Sequence, residues 1–171
     1  MSRGTRRLQV NRQQKHILLL ALFLLKYQHG NNRPAKRQVL NFIDLHHLIQ
    51  IRDEDRRRVA TGEEAWANDI TWRREDLKEE VLLTMPEHGE WQITASGERR
   101  IIEWCAIMHH FATVTPDWET RADRFEDLFE EKVVITKQTV LAAQRAYEIA
   151  TRLYPRDLPE VPEHIKGKIR L

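Results

Sequence analysis

The sequence is short of several features that define common protein classes. Its 171 residues include one cysteine, Cys105, which excludes a disulfide framework and fits a reducing compartment such as the cytoplasm. Six glycines and six prolines are few, and this favours helices over a β-sandwich. The longest apolar run, residues 17–25, is nine residues long, about half of the roughly 20 needed to span a bilayer. We therefore interpret it as a buried helix and expect no membrane partner.

The sequence also lacks the patterns of most catalytic and metal sites. It has no glycine-rich phosphate loop, no serine in a nucleophile elbow, and no Cys/His set at zinc-binding spacing. Histidines occur in pairs at 46–47 and 109–110, but adjacent residues of a helix point about 100° apart and cannot both bind one ion. We expect neither a metal, nor a cofactor, nor an enzymatic activity.

Charge is distributed unevenly along the chain. Residues 1–60 hold 13 Lys/Arg against 4 Asp/Glu, whereas residues 61–171 hold 15 against 22. This asymmetry indicates either an anionic partner for the basic half or attraction between the two halves.

Helical periodicity dominates the first two thirds of the chain and is interrupted by one short alternating stretch. The stretch "EWQIT" follows a Gly turn and pairs naturally with "VLLTM" as a hairpin. The expected elements, in order, are a basic disordered arm over 1–11, helices over about 12–28, 35–48 and 63–80, strands over 81–85 and 90–94, and a helix over about 97–112 capped by Ser96.

From Pro116 onwards the chain becomes acidic and amphipathic. Helices over 117–131 and 136–154, joined by a short link, predict an antiparallel helical hairpin within 113–154. Residues 155–171 form a proline-rich tail that we expect to be extended over a surface or disordered. The hairpin is a candidate dimerisation element, unless its helices simply pack onto the preceding domain. Its candidate dimerisation residues are Trp118, Phe125, Phe129 and Tyr147.

Three helices, a hairpin and a further helix make the order of a winged helix-turn-helix. The predicted fold class is therefore mainly α with a small β-hairpin: a winged helix over 12–112 followed by the C-terminal helical hairpin. In this arrangement the third helix enters the DNA major groove and the hairpin, or wing, lies beside the backbone. Trp91 and Ile93 of the wing should face inward against the helices.

Individual positions strengthen this interpretation. Residues 66–100 have an aromatic residue, an Asn two positions later, a spaced Trp and Leu, and a wing of the form Gly-x-Trp-x-Ile-Thr-x-x-Gly. These positions are Trp66, Asn68, Ile70, Trp72, Leu77, Gly89, Trp91, Ile93, Thr94 and Gly97. In these respects the chain resembles the N-terminal domain of Mrr-type restriction proteins, over about residues 15–102. The resemblance implies a winged helix that recognises DNA for a restriction system.

The chain departs from that family pattern in three ways. Residues 103–171 offer no strand-borne Asp and Gln/Glu-x-Lys set, which Mrr-type nucleases use to bind metal. The wing tip carries Glu87 and Glu90 where a phosphate-binding wing would carry Lys or Arg. On the third helix, Arg74 and Lys78 are balanced by two glutamates.

Candidate DNA-binding residues fall into two groups. Side chains that can reach base edges from the third helix are Asn68, Thr71, Arg74 and Lys78. Side chains that can position the phosphate backbone are Arg33, Lys36, Arg37, Arg56, Arg57 and Arg58, with Arg3, Arg6 and Arg7 in the arm. The run 56–58 has an alternative role in pairing with neighbouring acids. Trp72 we expect to pack against the first helix rather than on a base.

Three functional hypotheses follow. The first is a homodimeric module that binds double-stranded DNA, either as a transcriptional regulator or as a restriction-related recognition component. The second is a protein–protein adaptor without DNA binding, whose acidic wing and acidic helix engage a basic protein partner. The third is a dimeric regulator gated by a small ligand in an apolar pocket between the wing and the C-terminal helices.

Overall fold

The structure is a computed structural model that describes residues 3–121 and 135–170, with side chains from Gln13 onwards. The described residues form six α-helices, two strands, and short 3-10 turns at Asp53–Arg56 and Trp118–Thr120. The helices are α1 (Arg3–His29), α2 (Lys36–Leu45), α3 (Ala65–Glu79), α4 (Ala95–Val114), α5 (Lys137–Leu153) and α6 (Glu163–Arg170), and the strands are β1 (Leu83–Thr84) and β2 (Gln92–Ile93).

Helix α1 is the central element of the core. Residues 17–25 are all buried, and α1 contacts α2, α3, α4 and α5. This confirms that the nine-residue apolar run is a buried helix, since it is covered by protein on all sides. Within the described residues, no helix combines the length and the apolar content that crossing a bilayer requires.

Both ends of the chain are more helical than the sequence predicted. Helix α1 begins at Arg3 and not near residue 12, so the prediction of a disordered arm over residues 3–11 is wrong. Extending an existing helix adds one hydrogen bond per residue, and no proline stops it. In the tail, α6 buries Ile169 and packs against α4, so residues 163–170 are helical rather than extended.

The end of α3 explains why the first strand is shorter than predicted. Val81 lies in the left-handed region (φ 61°). Its N–H donates to the carbonyl of Lys78 at 3.1 Å, and the N–H of Leu82 donates to that of Leu77 at 2.9 Å. This is a Schellman motif, in which Leu82 and Leu77 are both buried. Val81 therefore ends the helix, and it is exposed rather than part of the apolar face or of a strand over 81–85.

The hairpin lies where the sequence placed it. Leu83 pairs with Ile93 and Thr84 with Gln92 in an antiparallel register, and Gly89 supplies the positive φ of the turn (79°). Trp91 and Ile93 are buried, as predicted. The N–H of Trp91 also donates to the carbonyl of Pro34 at 2.9 Å, so the wing is attached to the segment before α2.

Helix α4 starts directly after the wing and is locked to it. Thr94, not Ser96 as predicted, caps the helix: its hydroxyl accepts from the N–H of Gly97 at 3.0 Å and donates to the carbonyl of Val81 at 2.7 Å. Gly97 lies so close to the wing that an added Cβ would meet the Leu82 carbonyl oxygen at 2.1 Å. The start of α4, the wing and the end of α3 therefore form one tightly packed corner.

Among the described elements, α5 makes its most extensive contact with α4. It is also fixed to the end of α2, because the hydroxyl of Thr139 donates to the carbonyl of Leu48 at 2.6 Å. The other predicted helix of the C-terminal hairpin falls largely on residues 122–134, outside the described residues. The fold is thus mainly α with a small antiparallel hairpin, in the manner of a winged helix, with α5 packed onto it.

Candidate nucleic-acid interface

Helix α3 has one buried face and one face open to solvent. Trp66, Ile70 and Leu77 are buried against the core, in agreement with the predicted apolar face. The exposed positions of the helix are Asp69, Trp72, Lys78 and Glu79. The surface that α3 presents is therefore aromatic and mixed in charge rather than uniformly basic.

Trp72 differs most from its prediction. It is 60% exposed and does not pack against α1 as expected. The indole ring points away from the core because residue 72 lies about 230° around the helix from the buried Trp66–Leu77 ridge. The indole of Trp72 is therefore accessible on the outer face of α3.

The other three α3 side chains that were predicted to contact DNA bases differ in how accessible they are to a partner. Lys78 is exposed and makes no ion pair with the described residues. Thr71 is partly buried, and its hydroxyl donates to the carbonyl of Ala67 at 2.8 Å, within its own helix. Asn68 is partly buried beside it. Of these three, Lys78 is the side chain most open to an external partner.

Arg74 is turned towards the wing. Its guanidinium lies 5.5 Å from the centre of the Trp91 ring and 2.5 Å from a carboxylate oxygen of Glu75. Only 21% of its side chain is exposed. In the described structure Arg74 therefore connects α3 to the wing and does not project outward as a reading residue would.

The side chains near α2 that were predicted to contact DNA phosphates are partly neutralised by acids from other elements. Arg33 lies 3.9 Å from Glu90 at the wing tip, and Lys36 forms an ion pair with Glu63, just before α3. Arg37 is exposed and has no ion-pair partner in the described part of the chain. The acidic wing tip thus serves in part to hold the segment before α2, while Glu87 remains exposed.

The arginines of residues 56–58 also have internal partners. Arg56 pairs with Asp44 at 2.9 Å and with Glu64 at 3.2 Å, two acids that belong to other elements and are not the neighbouring acids that the alternative role invoked. The hydrogen bonds that Arg56 donates to Asp44 raise the pKa of its guanidinium. Arg57 and Arg58 are exposed and donate to the backbone carbonyls of Glu54 and Gly62. Their charges, unlike that of Arg56, are not balanced by a carboxylate in the described structure.

These contacts connect the candidate residues into one region. The pairs Arg33–Glu90, Lys36–Glu63 and Arg56–Glu64 join the start of α2, the approach to α3 and the wing. Lys78 lies one helical turn beyond Arg74 on α3. The contacts therefore bring Arg33, Lys36 and Arg56 to the start of α2, the approach to α3 and the wing, each beside a carboxylate.

Sequence reasoning overlooked two cations at the start of α4. Arg99 and Arg100 are exposed, and neither has an ion pair with a described residue. The sequence could have indicated these two cations, because both follow the wing within the first two turns of a helix. They were missed because the prediction considered only cations among the first 80 residues as DNA contacts.

The predicted dimerisation residues have contacts within the chain. Trp118 is buried, and the ring of Tyr147 stacks on His109 with 4.5 Å between centroids. Phe125 and Phe129 lie outside the described residues. Dimerisation through this hairpin stays a prediction.

The described residues include the single cysteine and side chains of the types that bind metals. No cluster of three or more His, Cys, Asp or Glu side chains suited to a metal occurs among them. Cys105 is buried, and burial raises the pKa of its thiol well above the ordinary value, so it remains protonated.

Comparison with known proteins agrees with the geometry. The family model described as the Mrr N-terminal domain matches residues 20–102, which span the core of α1 through the start of α4. The match is to a domain that is distinct from a nuclease domain. No curated protein and no solved structure gives a significant match. Over these residues, just under half of its length, the chain is similar to the Mrr N-terminal domain.

Proposed function

We propose that this protein binds double-stranded DNA through α3 and the wing, as a recognition module without catalytic activity. The observation that carries the proposal is the position of α3. Its apolar face is buried in a domain of the Mrr N-terminal type, and its opposite face is open beside the hairpin. In winged helices such a helix enters the major groove. The module serves either a restriction system or transcriptional regulation, and either role places it in the cytoplasm.

The charge pattern supports specific rather than indiscriminate binding. Non-specific affinity for DNA rises with the number of phosphates that cations neutralise. Here Arg33, Lys36 and Arg56 are paired with carboxylates, which lowers the positive charge available. Base contacts must then contribute a larger share of the affinity. Acidic side chains on α3 are compatible with this, because carboxylates accept from the cytosine amino group, and an indole can contact the thymine methyl group.

The test is fluorescence anisotropy with labelled duplex pools of random sequence, unmodified and cytosine-methylated, at two salt concentrations. We expect binding that weakens with salt, with a slope of about one unit per phosphate contact. A difference between the pools would show that base modification is read. The proposal fails if the full chain binds neither pool at low salt.

A second candidate function is a protein adaptor that binds no DNA. Two observations favour it: the exposed wing-tip residue Glu87, and the exposed Trp72 with Asp69 and Glu79 on the same helix. An aromatic anchor with acids around it suits a basic peptide, since hot spots of protein interfaces are rich in Trp. Trp72→Ala would then abolish capture of a basic partner, whereas Lys78→Ala would leave it unchanged.

Dimerisation is a separable part of the proposal. A twofold dimer would present two α3 helices about one DNA turn apart, roughly 34 Å, and so favour sites with two half-sites. Analytical ultracentrifugation of the free protein and of its complex with DNA decides this point. A monomer in both cases would leave DNA recognition intact and remove the dimer.

A further inference from the structure

A cleft of about 500 Å³ lies between the first turns of α4 and the segment that follows α5. Helix α4 contributes Glu98, Arg99 and Ile102, and the opposite wall consists of Tyr154, Asp157 and Leu158. Its volume is within the usual range for small-molecule sites, roughly 300–1,000 Å³. The cleft is separate from the exposed face of α3, and the inference drawn from it does not depend on DNA binding.

The cleft contains a buried carboxylate. Glu98 is only 6% exposed. The hydroxyl of Tyr27 donates to its Oε1, while the Nζ of Lys26 reaches its Oε2 only at 3.5 Å, the limit of a hydrogen bond. A carboxylate removed from water needs strong donors to offset its lost hydration. Both oxygens therefore have a partner within the chain, and the longer of the two contacts is the ion pair of Oε2 with Lys26.

A tyrosine hydroxyl orients the Glu98 carboxylate. Burial and the hydrogen bond to Glu98 raise the pKa of Tyr27 far above its ordinary value, so the hydroxyl holds its proton and acts only as a donor to the carboxylate. Tyr27 thus positions the carboxylate at the wall of the cleft by donating a hydrogen bond to it.

The other walls define what the carboxylate can bind. Ile102 and Leu158 are apolar, and the Tyr154 ring offers a face that attracts cations. Asp157 adds a second negative charge, and Arg99 is the one cation among the six residues named for the cleft walls. We propose that this cleft binds a small primary amine with a short apolar body, its ammonium group on Glu98. An α-carboxylate on the same ligand would meet Arg99.

Three probes that share a 3-methylbutyl group and differ in their amino and carboxyl groups test the proposal on the full chain. They are 3-methylbutylamine, leucine and 4-methylpentanoate, titrated at constant ionic strength and followed by amide chemical shifts and calorimetry. We expect the amine to bind and to shift the resonances of residues 98–102 and 154–158, and the carboxylic acid to show no such effect. Leucine that binds at least tenfold more tightly than the amine would assign the ligand as an amino acid; equal or weaker binding would assign it as a simple amine. Both outcomes support an amine site, whereas binding of the carboxylic acid equal to that of the amine overturns it.

Variants separate this site from a general charge effect. Glu98→Gln keeps an oxygen that accepts from Tyr27 and should weaken amine binding at least tenfold. Glu103→Gln makes the same charge change at an exposed position of α4 outside the cleft, and should leave binding unchanged. If Glu98→Gln fails to fold, Ala95→Phe fills the cleft from an exposed margin and should abolish binding. Amine binding that survives Ala95→Phe would contradict the assignment.

Discussion

The guanidinium of Arg74 lies 5.5 Å from the centre of the Trp91 ring, and this contact joins the third helix to the wing. Trp91 is fully buried, and its backbone N–H donates to Pro34 on the other side. Arg74 is thus part of the packing that sets the angle between α3 and the hairpin. Arg74, one of the four side chains predicted to reach base edges, thus makes its contacts within the domain.

This contact predicts that replacing Arg74 lowers the stability of the domain more than replacing Lys78 does. Arg74→Ala should lower the free energy of unfolding by about 1 kcal/mol, because it removes a partly buried cation–π contact. Lys78→Ala, at an exposed position without an ion pair in the described structure, should change stability by less than about 0.5 kcal/mol. Urea denaturation of both variants measures the difference. Equal stability losses would show that Arg74 does not support the wing.

The ion pair between Lys36 and Glu63 predicts a variant that binds DNA more tightly. Glu63→Gln leaves the Lys36 ammonium without its carboxylate and so makes it available to a phosphate. We expect affinity for duplex DNA to rise several-fold and the salt dependence to steepen by about one unit. Glu103→Gln, with the same change in net charge at an exposed site on α4, is the matched control. An equal gain in the control would attribute the effect to net charge alone.

Gly97 predicts a large loss of stability on a minimal substitution. Its missing Cβ would lie 2.1 Å from the Leu82 carbonyl oxygen and 2.8 Å from a side-chain carbon of Ile93. Since a backbone atom cannot move aside, Gly97→Ala should destabilise the domain by about 3 kcal/mol through displacement of the wing. Gly167→Ala, in a helix with open space around it, serves as the control and should be neutral or slightly stabilising. Thermal unfolding that is unchanged in Gly97→Ala would contradict the close packing of this corner.

Replacement of Val81 by glycine is predicted to raise the stability of the protein. Val81 occupies the left-handed C′ position at the end of α3, where glycine is usual, and its side chain is 63% exposed. Val81→Gly should therefore stabilise the protein by about 1 kcal/mol, since it removes the clash of a β-branched side chain while sacrificing little burial. Val81→Ala should give a smaller gain. A loss of stability with glycine, as in a helix interior, would show that the valine makes contacts that outweigh the strain.

The sequence predicted the features that depend on local pattern. Apolar spacing located α1 to α4, and the alternation around Trp91 located the wing with its buried residues. These succeed because helix and strand periods differ and because a turn needs its glycine. The same reasoning misjudged the ends of elements: Val81 was assigned to a strand, although it closes a helix.

The candidate site was harder to predict than the fold. Whether Lys36 is free or paired depends on Glu63, which is distant along the chain, and the direction of Arg74 depends on Trp91 in the wing. Such pairings arise only when elements pack, so residue type and spacing do not reveal them. Trp72 shows the same difficulty, because an aromatic residue on the flank of a helix is buried or exposed according to the neighbour that covers it.

The most direct test of DNA recognition is the salt dependence of duplex binding by the full chain and three single variants. Arg37→Ala and Lys78→Ala remove exposed cations without ion pairs in the described part of the domain, and Arg152→Ala removes an exposed cation from α5. If α3 and the start of α2 bind DNA, the first two variants should each weaken binding and reduce the salt slope by up to about one unit, while Arg152→Ala behaves like the unmodified protein. Equal effects of all three, or no binding by the unmodified chain, would contradict the proposed interface.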